Sequence, residues 1–297
     1  MMMDRFANYH PLVNFLYFGL VIGFSMVLNH PLAQAISVFS ACMYAVQTQG
    51  RQAVAFCLKW CLPIMLLTAF MNPAFSHEGV TILLYFPTGN PLTLESILYG
   101  LSAGVMIATV MLWFLNFNRV ITSDKFIYLF GRIIPAMSLV LSMTLRFIPR
   151  FKAQMDMVVD AQKSIGRDIS EGSLWQRTKI AVTVLSIMVT WALENAIETA
   201  DSMKSRGYGL KGRTAFSIYR FDDRDKMAIL YLGFCGFYLL SGVVVSAFGF
   251  RYFPSIRYVG LNAMTLSFQF VYLILCIMPV ALNRAEERKW KAIHSKM

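Results

Sequence analysis

Long apolar segments alternate with shorter polar segments along almost the whole chain. Each apolar segment has close to the roughly 20 apolar residues that a helix needs to cross a lipid bilayer. We therefore predict an all-α integral membrane protein with about six spanning helices and long amphipathic helices on the cytoplasmic side. The predicted spans are Leu12–Leu28, Leu32–Val46, Ala53–Phe70, Leu94–Leu115, Met227–Phe248 and Val259–Leu282.

The longest uninterrupted helical pattern runs from Leu174 to Arg206, a stretch without proline or glycine. Ser173 and Gln176 have the spacing of a capping box, and Gly207 can adopt the left-handed conformation that closes a helix. At 1.5 Å per residue this helix is expected to be roughly 50 Å long. Its second half carries a stripe of small or apolar side chains on one side. The stripe consists of Ala192, Ala196, Ala200 and Met203.

A second amphipathic helix is predicted from Arg150 to Ile165, with Pro149 in its first turn and Gly166 at its end. Its apolar positions repeat at intervals of four and three residues, which is the spacing of a seam between two helices. The seam residues are Phe151, Met155, Val158, Gln162 and Ile165. The segment 150–207 therefore holds two amphipathic helices, each ending at a glycine with a basic residue nearby.

The composition indicates lipid as the solvent, because 57% of the residues are hydrophobic and only 14% are charged, against about 25% charged in soluble proteins. The net charge of +11 then fits an excess of Lys and Arg on the cytoplasmic side better than nucleic-acid binding. Asn116–Asp225 holds 16 of the 27 Lys and Arg residues, the tail from Asn283 holds five more, and the loop Met71–Thr93 holds none. We therefore place both termini in the cytoplasm and expect no nucleic-acid partner.

This topology divides the chain into three parts. Residues 1–115 form the N-terminal membrane helices with about four spans, 116–225 form cytoplasmic or interfacial helices, and 226–297 form two spans and a basic tail. The apolar stretches Phe126–Leu145 and Ile180–Leu193 could add two spans, but seven Lys and Arg residues between them would then lie outside. We prefer helices that lie along the cytoplasmic face. Arg251 and Arg257 are exceptions to the excess of Lys and Arg on the cytoplasmic side, because this topology places their loop outside.

No pattern predicts catalysis, a cofactor or a metal site in this chain. Gly207–Thr214, GYGLKGRT, nearly matches the phosphate-binding loop G-x-x-x-x-G-K-[ST], but Arg213 replaces the lysine and the segment follows a helix instead of a strand. The five cysteines lie in apolar segments without histidine partners, as expected of buried thiols. His77 and Glu78 form an isolated pair, too few for a metal site. We expect a non-catalytic membrane subunit.

The run ADSMKSRGYG, Ala200–Gly209, is followed by GRT at Gly212–Thr214. It resembles the second coupling motif of the transmembrane T component, the EcfT/CbiQ-like family, of energy-coupling factor (ECF) ABC transporters. The resemblance extends from the HPLVNF opening at His10 to the basic tail. It implies that one helix tip docks in a groove of an ATP-hydrolysing subunit. The residues of this tip are Ser205, Arg206 and Gly207.

The first coupling motif of the family is matched less closely. The family pattern is similar to Ala-Gln-x-Ala-Arg-Gly, whereas this chain has Ile165 in place of the arginine, followed by Gly166 and Arg167. The seam spacing predicts that Ile165 faces a partner helix and that Lys163 lies on the solvated side, paired with Asp160. We therefore expect Arg167 to supply the charged contact, with Lys163 or purely apolar docking as the alternatives.

The resemblance also implies partners: two cytoplasmic ABC ATPase subunits and a membrane-embedded substrate-binding (S) component, all assembled in a lipid bilayer. The chain would transmit ATP-driven movement of the ATPases to the S component during uptake of a vitamin or a metal ion. The small-residue stripe Ala192, Ala196, Ala200 and Met203 is the expected S-component interface. A self-contained secondary transporter is the alternative, and it would require charges or broken helices at mid-membrane.

Overall fold

A computed structural model of the protein describes residues 4–76, 78–85, 91–168, 170–208, 210, 219–258, 260 and 262–294. The described chain is almost entirely helical and divides into two compact units. The first unit is drawn from Met1–Phe126 and Tyr219–Met297, and the second is Ile127–Ile218. The all-α membrane fold predicted from the sequence is confirmed, whereas the division of the chain at 115 and 225 stays a prediction about topology.

Ten α-helices and two short antiparallel hairpins make up the described chain. In chain order they are α1 (Pro11–Val27), α2 (Pro31–Gln49), α3 (Arg51–Phe56), α4 (Leu62–Phe75), β1 (Ile82–Tyr85), β2 (Pro91–Thr93), α5 (Leu94–Val120), α6 (Ser123–Ile133), α7 (Pro135–Ser164), α8 (Leu174–Ser205), α9 (Asp223–Val244), β3 (Phe250–Arg251), β4 (Arg257–Tyr258) and α10 (Ala263–His294). A π-helical turn, Cys57–Cys61, joins α3 to α4.

Five helical segments of the described chain are long and apolar enough to cross a membrane. They are Arg51–Phe75, Leu94–Val120, Leu174–Ser205, Asp223–Val244 and Ala263–Arg288. α1 is also apolar but is only 17 residues long. α2 falls outside the set, and its buried polar residues Gln34, Ser37 and Ser40 are one reason for its low mean hydropathy. α8 belongs to the set by length and composition, so its predicted position along the cytoplasmic face stays a prediction.

The core of the first unit is rich in aromatic side chains. Phe6, Tyr17, Phe18 and Trp113 are completely buried and meet edge to face, with ring centroids 4.9 to 6.4 Å apart. The indole Nε1–H of Trp113 donates to Ser37 Oγ at 2.9 Å, which satisfies the one donor of the buried ring. The polar residues of α2 therefore face the bundle interior, where they hold a large side chain in place.

One end of the first unit, here called the terminal end, is closed by the residues around Asp4. The Asp4 carboxylate accepts a hydrogen bond from the Tyr44 hydroxyl at 2.6 Å and from Asn283 Nδ2 at 3.0 Å. The backbone N–H of Arg5 donates to Asn283 Oδ1 at 3.0 Å, and its guanidinium lies 3.3 Å from the Glu286 carboxylate. The last turns of α2 and α10 therefore lie beside the first described residues.

The chain also leaves and re-enters the first unit at the terminal end. Lys125 is buried and donates to the backbone carbonyls of Ala7 and Val120. Asp225 is buried at the start of α9 and accepts from the backbone N–H of His10 at 3.1 Å. The N-terminal segment thus contacts both positions at which the chain passes to and from the second unit.

Helices α4 and α5 pack closely because α5 presents two glycines to α4. A Cβ atom on Gly100 would lie 2.7 Å from the backbone oxygen of Thr68, and one on Gly104 would lie 2.9 Å from the Cα atom of Met65. Such distances are too short for any side chain, so the small residues permit direct backbone approach. Asn72 Nδ2 adds a hydrogen bond to the Ser96 carbonyl at 2.7 Å.

The second unit corrects the predicted start of its first long helix. α7 begins at Pro135 and continues through Pro149 to Ser164, so Pro149 lies inside the helix and not in its first turn. The helix starts at Pro135 because a proline disfavours the helical conformation in the residue before it. Ile134 accordingly has non-helical torsion angles (φ −133°, ψ 86°). The apolar stretch predicted at Phe126–Leu145 is therefore divided between α6 and α7.

Candidate functional site: the two helix tips

The tip of α8 has the backbone arrangement that the sequence predicts. Ser173 and Gln176 form the capping box at its start, and Gly207 at its end has φ +74°. The N–H of Gly207 donates to the Lys204 carbonyl at 2.9 Å, and that of Tyr208 donates to the Met203 carbonyl at 3.0 Å. This pair of bonds is a Schellman motif, which satisfies the last carbonyls of the helix and reverses the chain. Arg206, the C-cap residue, is exposed at this tip.

The tip of α7 repeats the same motif. Gly166 has φ +78°, its N–H donates to the Lys163 carbonyl at 2.9 Å, and the N–H of Arg167 donates to the Gln162 carbonyl at 3.0 Å. The two tips are therefore equivalent in backbone structure, position by position. In this correspondence Ile165 occupies the place that Arg206 occupies in the other tip.

The two cations of the α7 tip, Lys163 and Arg167, differ in their ion pairing. Lys163 Nζ lies 3.2 Å from Asp168 Oδ2, so Lys163 pairs with Asp168 and the predicted pairing with Asp160 is wrong. The other carboxylate oxygen of Asp168 accepts from the N–H and the hydroxyl of Ser170, at 2.9 and 2.7 Å. The Ser170 hydrogen bonds and the Lys163 contact lower the pKa of Asp168 to about 2. Arg167 is exposed and has no ion-pair partner in the part of the chain that the structure describes.

The prediction that Ile165 faces a partner helix is also wrong. Its side chain is 64% exposed, because the residue lies just past the last turn of α7 and beyond the region where α7 and α8 touch. Met155, another predicted seam residue, is 49% exposed. The seam spacing therefore does not mark a buried residue at every one of its positions.

The contact between α7 and α8 is a short crossing. Val158 of α7 is buried against Val184 and Met188 of α8. The rings of Phe151 and Trp191 meet edge to face at 5.2 Å. As the residue number falls along α7 it rises along α8, so the helices cross in an antiparallel sense.

One contact at this crossing and one buried polar residue farther along α8 do not follow from the predicted seam spacing. The Arg150 guanidinium lies 5.9 Å from the centre of the Trp191 ring, at the distance of a cation–π contact. Asn195, one turn beyond Trp191 on α8, is only 8% exposed. An aromatic residue at heptad-like spacing from Val184 and Met188 is the signal that could have located the crossing.

The small-residue stripe of α8 is partly open. Ala196 and Ala200 are exposed, whereas Ala192 and Met203 are half-buried. Leu193 and Ile197, beside them on the helix, are 62% and 64% exposed. The stripe therefore offers an apolar surface in this unit, and its role as an interface stays a prediction.

Several predicted features lie outside the described residues. They include Gly209 and the segment 211–218, which holds the GRT of the motif and most of the loop that resembles a phosphate-binding loop, and also His77. Among the described residues there is no cluster of three or more His, Cys, Asp or Glu side chains that could hold a metal ion. The cysteines there are unbonded thiols.

Comparison with known proteins places this chain in a family. A family model described as cobalt transport protein, CbiQ, matches residues 8–216, which include both tips and the crossing. The chain belongs to the CbiQ family. The resemblance to the T component of ECF transporters is thereby confirmed, and this CbiQ-family protein is a multi-pass, non-catalytic membrane component of a transporter.

Individual relatives of this CbiQ-family protein carry a consistent name. The energy-coupling factor transporter transmembrane protein EcfT 1 of Listeria monocytogenes is 29% identical over 224 residues, covering 70% of this chain and 82% of that protein. The EcfT protein of Staphylococcus aureus is 29% identical over 189 residues, covering 59% and 69%. The match to EcfT of Lactobacillus helveticus is 33% identical but shorter, covering 36% of this chain and 38% of that protein.

Proposed function

We propose that this protein couples two cytoplasmic ABC ATPase subunits to a membrane-embedded S component that binds a vitamin or a metal ion for import. The observation that carries the proposal is the pair of equivalent tips. Each closes with a Schellman motif, and each presents an exposed arginine, Arg206 at one tip and Arg167 at the other. Arginine suits docking on a carboxylate because its planar fork forms two parallel hydrogen bonds and keeps its charge.

The position of the α7–α8 crossing determines how far apart the two tips can lie. Ser164 lies six residues beyond Val158, and Ser205 lies 17 residues beyond Met188. These lengths correspond to about 9 Å and about 26 Å of helix, so the tips can lie up to about 35 Å apart. A pair of long helices with widely separated tips can contact two ATPase subunits at once. ATP-driven closure of the ATPases would then move both tips, and the open stripe on α8 would pass that movement to the S component.

The first test is charge reversal at the α8 tip. Arg206→Glu should leave insertion into the membrane unchanged and reduce co-purification of the ATPases at least tenfold, because breaking a desolvated charge pair costs about 2–5 kcal/mol. Lys204→Glu is the matched control, since Lys204 is exposed on the same turn and its Nζ lies 4.0 Å from Asp201. Equal ATPase binding by the Arg206→Glu variant and the wild type in a mild-detergent pull-down would rule out this contact.

The same pull-down ranks the residues of the α7 tip. Arg167→Ala should weaken ATPase binding less than Arg206→Ala, and the double variant should bind less than either. If Lys163→Ala abolishes binding while Arg167→Ala does not, the charged contact at this tip is Lys163. A chain that purifies without ATPases and transports alone in vesicles would instead support a secondary transporter.

We further propose that both termini face the cytoplasm. The proposal is supported by the excess of Lys and Arg in 116–225 and by the hydrogen bonds that bring Asp4 and Asn283 together at the terminal end. In a cysteine-free background, single cysteines at Lys163 and Lys296 should resist an impermeant thiol reagent on intact cells, and one at Glu78 should react. Labelling at Lys163 from outside would favour the alternative in which Phe126–Leu145 and Ile180–Leu193 are two further spans.

A further inference from the structure

The end of the first unit that carries both β-hairpins lies opposite the terminal end and is here called the hairpin end. The His30 ring, between α1 and α2, lies 5.9 Å from the Phe250 ring, and the Tyr99 ring of α5 lies 5.7 Å from that of Tyr252. The β3–β4 hairpin therefore lies against the start of α2 and the first turns of α5. Because α5 and α9 are apolar helices of spanning length, this level corresponds to a membrane surface.

Two arginines are placed side by side in the β3–β4 hairpin. Arg251 and Arg257 are cross-strand partners in the antiparallel register, and directly opposed residues project their side chains to the same face of a sheet. Both are exposed, and neither has a carboxylate partner in the part of the chain that the structure describes. Like charges in directly opposed positions destabilise a strand pair. An anion held between the two guanidinium groups would remove this repulsion.

A groove of about 460 Å³ opens next to Arg251. Its apolar wall includes Met26, Ala103, Met106 and Phe253, and its polar wall includes Asn29 and Ser102. The Ser102 hydroxyl donates to the buried Gln34 Oε1 at 3.0 Å, which fixes that side of the groove. Met26, at the groove edge, is 54% exposed. The groove therefore combines an apolar surface that continues toward lipid with a polar, cationic end.

We propose that this groove binds an anionic phospholipid, with its phosphate between Arg251 and Arg257 and its glycerol and first methylenes against the apolar wall. Guanidinium groups pair bidentately with phosphate oxygens, and aromatic residues such as Tyr99 and Tyr252 are typical of the headgroup level. The site accounts for the two arginines that oppose the charge rule, since a bound phosphate supplies the missing counter-charge. It does not depend on the proposed ATPase contacts.

The test measures lipid retention by the purified full chain. Native mass spectrometry of the detergent-solubilised protein, titrated with phosphatidylglycerol or phosphatidylcholine, should show preferential retention of phosphatidylglycerol. Arg251→Gln with Arg257→Gln should lower its apparent affinity about tenfold or more, because the phosphate loses its charge-assisted hydrogen bonds. The control is Arg51→Gln with Arg288→Gln, which removes the same charge from α3 and α10 at the other end.

Further outcomes decide between a lipid and other ligands. Ala103→Phe, which fills the groove and keeps both arginines, should also lower phosphatidylglycerol retention. Equal retention of the two lipids, or equal losses in the two double variants, would overturn the proposal. If inorganic phosphate displaces the lipid completely at comparable concentration, the site binds a soluble anion and the proposed lipid is wrong. If the arginine double variant does not insert, the Ala103→Phe variant and the two-lipid comparison still decide the result.

Discussion

The helix pairs α4–α5 and α7–α8 are held together in opposite ways. α4 and α5 approach closely, because Gly100 and Gly104 place no side chain of α5 against the backbone of Thr68 and Met65. α7 and α8 meet through side chains at one crossing, where Val158 is buried against Val184 and Met188, and both tips extend past it. A pair that packs through glycines has little freedom to change its angle, whereas a pair that meets at a single side-chain cluster can pivot. On the proposed function, the second pair would be the part that moves.

The largest effect is expected from filling the glycine contact. Gly104→Leu would force apart α4 and α5 at Met65 and Thr68, and overpacking of this kind costs about 1–3 kcal/mol when neighbours can shift and more when they are backbone atoms. We expect loss of monodisperse protein in size-exclusion chromatography. Gly19→Leu is the matched control, because a Cβ atom at Gly19 meets nothing within 4 Å. A normal elution profile for Gly104→Leu would contradict close packing as the basis of this pair.

A smaller effect is expected at the crossing. Trp191→Ala removes the edge-to-face contact with Phe151 and the Arg150 contact, at an expected cost of about 2 kcal/mol for a half-buried aromatic residue. Hydrogen exchange should become faster in α7 and α8 near the crossing while α4 and α5 stay protected. Trp175→Ala, at an indole that is 80% exposed, should leave exchange unchanged. Equal exchange in wild type and Trp191→Ala would show that other contacts hold the crossing.

A pH-dependent effect is expected from Lys125, a cation buried in the first unit. Burial lowers the pKa of Lys125 from 10.5 to about 8, although the Asp4 carboxylate acts in the opposite direction. The folded protein therefore releases this proton at lower pH than the unfolded chain does. As a result, the free energy of unfolding should rise between about pH 8 and pH 10.5. Thermal unfolding of the wild type and of Lys125→Met should be followed over this pH range. The difference between their free energies of unfolding should change with pH, and two parallel pH profiles would contradict the prediction.

Local signals in the sequence predict α8 well. Its start depends on Ser173 and Gln176, its end depends on Gly207, and all three act within one turn of the helix. The exposure of Ile165 and the Lys163–Asp168 pair were not predictable in this way. The first depends on where α7 leaves α8, and the second depends on how the loop after Gly166 folds back. Helical periodicity identifies a face of a helix but not the length over which a partner covers it.

In both Schellman motifs, the backbone path of the tip does not depend on the side chain that precedes the glycine. Because the bonds that close each tip join backbone atoms only, the side chain before the glycine can change without altering the path of the chain. Ile165 and Arg206 are two such choices on one backbone frame. On the proposed function, the two tips can therefore be matched to two different ATPases by one substitution each. On that proposal, a change of partner preference at either tip would leave the backbone of the tip unchanged.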